Sequence, residues 1–102
     1  MKGGKGMITP IEDINTLPKD QVGIYAFYNP NTNEVWANAT TDIAKGLTRH
    51  LSKLEIGQHA NLDLLTQYKN RLLNYTVIKA NSYEQADSIL NKLNKEYKLS
   101  PI

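Results

Sequence analysis

The side chains best suited to chemistry in this sequence are two histidines, His50 and His59, and the tyrosine of the triplet Gly23-Ile24-Tyr25. The histidines stand nine residues apart, which matches no helical pair of metal ligands, and no cysteine or carboxylate cluster accompanies them. We therefore predict one histidine on a helix face, one in a loop, and no metal site. The glycine-rich KGGKG at residues 2–6 lacks the strand and helix that would make it a phosphate-binding loop.

Composition limits the class of protein. Apolar residues make up 40% of the 102 residues, charged residues 22%, and the formal net charge is +2. This is the balance of an ordinary globular domain. We predict a flexible tail at residues 1–9 and a single domain at residues 10–102, since so short a chain has no room for a second core. The absence of cysteine excludes disulfides and cysteine nucleophiles.

No apolar run is long enough to span a membrane, and residues 1–6 lack the apolar core of a signal peptide. These two features favour a cytoplasmic protein without a membrane partner. The mild positive charge permits contact with nucleic acid but does not by itself indicate it, because dedicated binders carry clearer basic patches.

Hydrophobic periodicity predicts the order hairpin, helix, helix, strand, helix. VGIYAFYNP and EVWANA alternate as strands around the turn-forming NPNTN, and LNYTVIKA supplies a third strand. A capping residue precedes each predicted helix: Asp42, Asn61 and Ser82. Gly57 stands where the first helix would end. We therefore predict an α+β domain in which a small three-stranded antiparallel sheet is flanked by helices.

Three stretches of the chain together resemble the GIY-YIG nuclease family. LPKDQVGIYAFYN resembles the family's opening strand, TTDIAKGLTRHLSKL its following helix, and GQHANLDLL a stretch with a characteristic His-x-Asn-x-x-Leu. An aromatic residue, Trp36, follows Tyr25 by eleven residues in the second strand. The resemblance covers roughly residues 15–98 and implies a GIY-YIG-like fold.

Some of the family's functional residues are present. Tyr25 falls on the first tyrosine, which in the family assists proton removal from the attacking water. His50 matches a family histidine on the helix, and Asn61 matches an asparagine of the family pattern. The resemblance therefore makes Tyr25 and His50 the candidate catalytic residues.

Three other positions of the family pattern are altered. Trp36-Ala37-Asn38 stands in place of the second triplet, so an indole, which can only donate a hydrogen bond, replaces the second tyrosine. Gly46 occupies the position of an arginine that neutralises charge on the scissile phosphate. Asn94 occupies the position of the metal-binding glutamate, and a neutral amide is a poor ligand for a hard divalent cation. The resemblance thus implies a retained fold without a resident cofactor, and Mg²⁺ or Mn²⁺ is expected only if the site is active.

The sequence therefore favours a catalytically degenerate GIY-YIG-like domain that acts as a nucleic-acid-binding or regulatory module, with DNA or RNA as its partner. The candidate binding residues are Trp36, Asn38, Lys45, Gly46, Arg49, Lys53, Asn61, Lys69, Arg71 and Asn94. Gly46, Arg49 and Lys53 share one helical stripe, so a displaced arginine is a route to residual cleavage.

Two alternatives stay open. One is a domain that binds a protein or a nucleotide as a decoy or inhibitor, as some phage and mobile-element proteins do, and the modest net charge favours it over a dedicated DNA binder. The other is a metal-dependent endonuclease with a rearranged site, whose nicking activity would be lost in Tyr25→Phe. The sequence indicates no oligomeric state.

Overall fold

The computed structural model describes residues 19–102. The tail predicted at residues 1–9, and the remainder of the N-terminal segment up to residue 18, lie outside the described residues.

Four strands form one mixed sheet. β1 (Gly23–Asn29) lies between β2 (Glu34–Thr40) and β3 (Asn74–Lys79) and pairs with both in antiparallel fashion. β4 (Lys98–Ser100) pairs in parallel with β2, which gives the order β3-β1-β2-β4. The prediction of three antiparallel strands is therefore wrong, although the α+β class is confirmed. β4 has only three residues, too few to show the alternation that identifies a strand in a sequence.

Three helices complete the fold: α1 (Ile43–Glu55), α2 (Leu62–Lys69) and α3 (Tyr83–Glu96). The predicted N-caps are confirmed, because Asp42, Asn61 and Ser82 each accept the backbone N–H three residues later. Gly57 has a φ of +73° just beyond the end of α1, the left-handed conformation that glycine adopts most easily. No helix within residues 19–102 is long and apolar enough to cross a membrane.

The sheet has a hydrophobic core on each face, because alternate residues of a strand point to opposite sides. On one face Tyr25 and Phe27 pack with Trp36 against α1 and α2. On the other face Ile24 and Ala26 pack against α3. The helix that carries His50 therefore lies on the same face as Tyr25, and α3 lies on the opposite face.

Candidate functional site

Tyr25 lies in the middle of the sheet, with its hydroxyl held by two side chains. The strand pairing places it opposite Asn38 on β2 and Val77 on β3, and the residue is 3% exposed. Asn38 Nδ2 donates to Tyr25 Oη at 3.3 Å, and His50 Nε2 lies 3.1 Å from the same oxygen. The strand register thus brings Tyr25 and Asn38 together, and α1 adds His50.

Gly46 lies directly against the ring of Tyr25. It is buried on α1, and a Cβ atom at this position would stand 2.5 Å from Tyr25 Cε2 and 3.1 Å from Cδ2. Carbon atoms do not pack this closely, so glycine allows α1 to approach the ring. Gly46 is thus buried against Tyr25 and offers no side chain to a ligand, and its place among the binding residues stays a prediction.

The two histidines form a chain with Tyr25. His50 Nδ1 lies 2.9 Å from His59 Nε2, and the backbone N–H of Asn61 donates to His59 Nδ1 at 3.0 Å. His59 belongs to the loop between α1 and α2, as predicted, but it is only 6% exposed. Its contact with His50 makes it a site residue, a role that the sequence did not lead us to assign to it although it is one of the two histidines. The available signal was the His-x-Asn spacing, which lets Asn61 both cap α2 and hold His59.

The surroundings of the histidines oppose a positive charge. Burial, followed by repulsion from His59, Arg49 and Lys53, lowers the pKa of His50 from its ordinary 6.5 to about 4. Burial and the charge of Lys53 also lower the pKa of His59. Both rings are therefore neutral near pH 7.

Three cations follow the exposed side of α1. Lys45, Arg49 and Lys53 recur every four residues, which places them in one stripe about 12 Å long. All three are exposed, and none has an ion-pair partner among the residues that the structure describes. Lys45 and Arg49 line an open cavity together with Asp42 and Thr48. We call Lys45, Arg49 and Lys53 the α1 stripe.

Lys69 and Arg71 lie apart from the α1 stripe. They line another cavity, between the end of α1 and α2, with Leu54 and Tyr68. The structure thus divides the predicted cations into two groups. The α1 stripe is the group that acts on the histidines: the charges of Arg49 and Lys53 lower the pKa of His50, and that of Lys53 also lowers the pKa of His59.

Two other predicted binding residues are part of the scaffold. Trp36 is 3% exposed and packs in the core with Phe27, its partner across the strand pair, so almost none of this residue is accessible to a ligand. Asn61 Oδ1 accepts the backbone N–H of Leu64 at 3.1 Å. That oxygen is therefore already engaged in capping α2.

Asn94 shares a cavity with Asn38 between β2, α3 and β4. The polar side chains that line it are all neutral: Asn38, Asn91, Asn94 and Ser100. A hard divalent cation prefers carboxylate oxygens, and residues 19–102 hold no group of three His, Cys, Asp or Glu side chains that could bind a metal ion. The residues at this position therefore do not fit a divalent metal ion.

Comparison with known proteins gives a structural match. No family model and no curated protein matches the chain. The catalytic domain of the homing endonuclease I-TevI is similar, with 26% identity and a TM-score of 0.55 over 74% of this chain and 84% of that domain. A mutant of the catalytic domain of the intron endonuclease I-TevI matches with 22% identity and a TM-score of 0.56, over 76% and 84%. I-TevI is a GIY-YIG homing endonuclease, so the resemblance to this nuclease family is confirmed.

Proposed function

On the basis of its GIY-YIG endonuclease-like fold, we propose that this domain binds nucleic acid along the exposed side of α1 and has lost most of the family's cleavage activity. The observation that carries the proposal is the α1 stripe, three exposed cations on the helix that also holds His50. Successive members of the stripe are about 6 Å apart along the helix axis. A phosphate backbone is the polyanion that such a row of charges attracts.

The charges of the two helical faces differ in sign. α1 carries three cations and one carboxylate, whereas α3, on the opposite face of the sheet, carries two cations and three carboxylates. A net charge of +2 for the whole chain hides this separation. The separation directs an approaching polyanion to the α1 face.

Loss of cleavage is supported at two positions. Gly46 supplies no charge to a scissile phosphate, and the ring of Tyr25 leaves no space for a side chain there. Asn94 lines a cavity whose polar side chains are neutral and unsuited to a divalent cation. Enzymes usually gain more rate from electrostatic stabilisation of the transition state than from any other effect, so its loss at two positions removes most of the activity.

Fluorescence anisotropy with labelled duplex DNA, single-stranded DNA and single-stranded RNA of one sequence tests the binding proposal. We expect binding that weakens as salt is raised, because phosphate contacts release counterions. The double substitution of Arg49→Gln and Lys53→Gln is expected to weaken binding and to reduce the salt slope by about 1 for each phosphate contact removed.

The matched control is the double substitution of Lys92→Gln and Lys95→Gln, which removes the same charge from α3 on the opposite face. We expect this control to change affinity much less. Equal effects of the two double substitutions would contradict a specific role of the α1 stripe. Absence of binding by the unmodified domain would refute the proposal, and a pull-down without nucleic acid would then test the protein-partner alternative.

A further inference from the structure

The hydrogen bonds around Tyr25 run in one direction, which is set in the loop between α1 and α2. The backbone N–H of Asn61 donates to His59 Nδ1 at 3.0 Å. A ring nitrogen that accepts a hydrogen bond carries no proton, and a neutral imidazole is protonated on one nitrogen only. His59 is therefore neutral, with its proton on Nε2.

This tautomer determines the tautomer of His50. His59 Nε2 is the donor across the 2.9 Å contact, so His50 Nδ1 is the acceptor. The proton of His50 must then be on Nε2, which lies 3.1 Å from Tyr25 Oη and donates to it. The chain thus runs from the backbone of Asn61 through both rings to the oxygen of Tyr25.

Tyr25 accepts a second hydrogen bond on the same oxygen, from Asn38 Nδ2 at 3.3 Å. With both lone pairs engaged, the phenol keeps its own proton for a third partner. Within residues 19–102 the structure shows no acceptor for this O–H. A buried donor without a partner is uncommon in native proteins and marks a place for one from outside.

We propose that His59 is a positioning residue that, through this one-way chain, makes Tyr25 a fixed hydrogen-bond donor toward an oxygen of a bound phosphodiester. The ligand in this statement rests on the proposed function, whereas the direction of the chain does not. Tyr25 would then contribute a directed hydrogen bond beside the charges of the α1 stripe.

The reverse direction is excluded by the contact with Asn61. If Tyr25 donated to His50, each ring would carry its proton on Nδ1, and the Nδ1–H of His59 would face the N–H of Asn61 at 3.0 Å. Two donors, one of them on the buried ring of His59, would then meet without an acceptor. His50 therefore does not take the proton of Tyr25 in this arrangement, which suits binding better than proton removal. The positive charges of Arg49 and Lys53 also disfavour transfer of the Tyr25 proton to His50, because they oppose protonation of the rings.

Long-range ¹H–¹⁵N correlation spectra of the labelled domain near neutral pH read each histidine tautomer directly. We expect a protonated Nε2 and an unprotonated Nδ1 on both His50 and His59. A proton on Nδ1 of either ring would overturn the proposal.

The role of the Asn61 amide is tested by a matched pair of variants. Asn61→Ala and Asn61→Pro both remove the capping side chain, but only proline lacks the N–H, and the φ of −83° at this position lies near the range of proline. We expect Asn61→Ala to keep both tautomers and Asn61→Pro to give mixtures. Unchanged tautomers in Asn61→Pro would overturn the role of this amide. If Asn61→Pro does not fold, His59→Ala is used, and an unchanged tautomer of His50 would overturn the positioning role of His59.

The donor role of Tyr25 is tested by anisotropy with the same labelled nucleic acids. Tyr25→Phe is expected to weaken binding about tenfold, since it removes one hydrogen bond to a charged group. Tyr83→Phe, which removes a hydroxyl from an exposed tyrosine of α3, is the control and is expected to bind unchanged. Equal binding by Tyr25→Phe and the unmodified domain would overturn the donor role. If the unmodified domain binds no nucleic acid, the proposed function and the donor role both fail, and the tautomers still decide the direction of the chain.

Discussion

The backbone of Gly46 and the ring of Tyr25 are packed so closely that α1 has no space for a side chain at this position. The ring cannot easily move away, because the Tyr25 hydroxyl is hydrogen-bonded to the side chains of Asn38 and His50. Gly46 is therefore part of the arrangement that places Tyr25 against α1. This contact offsets the usual cost of a glycine within a helix, about 1 kcal/mol.

Gly46→Ala is expected to destabilise the domain by about 1–3 kcal/mol, the cost of overpacking a close contact, in spite of the better helix propensity of alanine. The free energy of unfolding in urea measures this effect. Ser52→Ala, at an exposed position of the same helix, is the control and is expected to be neutral or slightly stabilising. A Gly46→Ala domain that is more stable than the unmodified one would show that the ring and helix are not in close contact.

The histidines make the stability of the domain depend on pH. Unfolded histidines take up protons below their ordinary pKa of 6.5, whereas the pKa of His50 in the folded state is lowered to about 4 and that of His59 is also lowered. The unfolded state therefore binds more protons in this window. The stability contributed by the neutral rings is fully present above about pH 6.5 and is lost as the pH falls toward 4.

Urea unfolding at several pH values measures this dependence. The free energy of unfolding is expected to fall less with decreasing pH in the double variant His50→Gln and His59→Gln, because glutamine does not titrate. The carboxylates are the same in both proteins, so their contribution cancels in the comparison. A decline of equal size in both proteins would contradict neutral histidines in the folded state.

At the level of helices and strands, the sequence was sufficient where a local rule decides the outcome. The side chain of Asp42 bonds the first turn of α1, and Asn61 does so for α2, as their positions predict. The hairpin was likewise predictable, because its strands alternate around an asparagine-rich turn in which Asn33 adopts a φ of +63°.

Other features depend on distances that a linear pattern does not encode. β4 pairs with β2 only because α3 returns the chain to that edge of the sheet. The contact of His50 with His59 needs the loop after α1 to turn back on the helix. The burial of Trp36 depends on which side of the sheet α1 and α2 cover.

Deletion of residues 98–102 tests the contribution of β4. The deletion removes the parallel pairing with β2 and the packing of Ile102 on the core that contains Trp36. We expect a loss of stability on the order of 2–4 kcal/mol, from a few hydrogen bonds and two apolar side chains, Ile102 and Leu99. The single tryptophan, Trp36, should also show red-shifted fluorescence as water reaches it.

Ser100→Ala, which leaves the backbone pairing of β4 intact, is the control and is expected to preserve the Trp36 emission. Unchanged emission and stability after the deletion would show that β4 does not protect this edge of the sheet.

At the scale of the whole molecule, the two faces of the sheet divide the charge. The α1 face carries the α1 stripe, His50 and the contact of Gly46 with the ring of Tyr25. On the opposite face, α3 carries more carboxylates than cations. The α+β class and the family resemblance could be predicted from the sequence, because the residues that carry them lie in order along the chain. The division of the cations into two groups could not, because Lys69 and Arg71 differ from the α1 stripe only in where the fold places them.

The proposal that this nuclease-like domain binds nucleic acid without cutting it can be tested in one experiment. Supercoiled plasmid and a labelled branched DNA are incubated with the domain and Mg²⁺ or Mn²⁺, beside Tyr25→Phe, and binding and cleavage are followed on the same gels. The predicted result is DNA that is shifted by the domain and remains intact. Metal-dependent cleavage that disappears in Tyr25→Phe would contradict the proposed function and identify the domain as a working endonuclease.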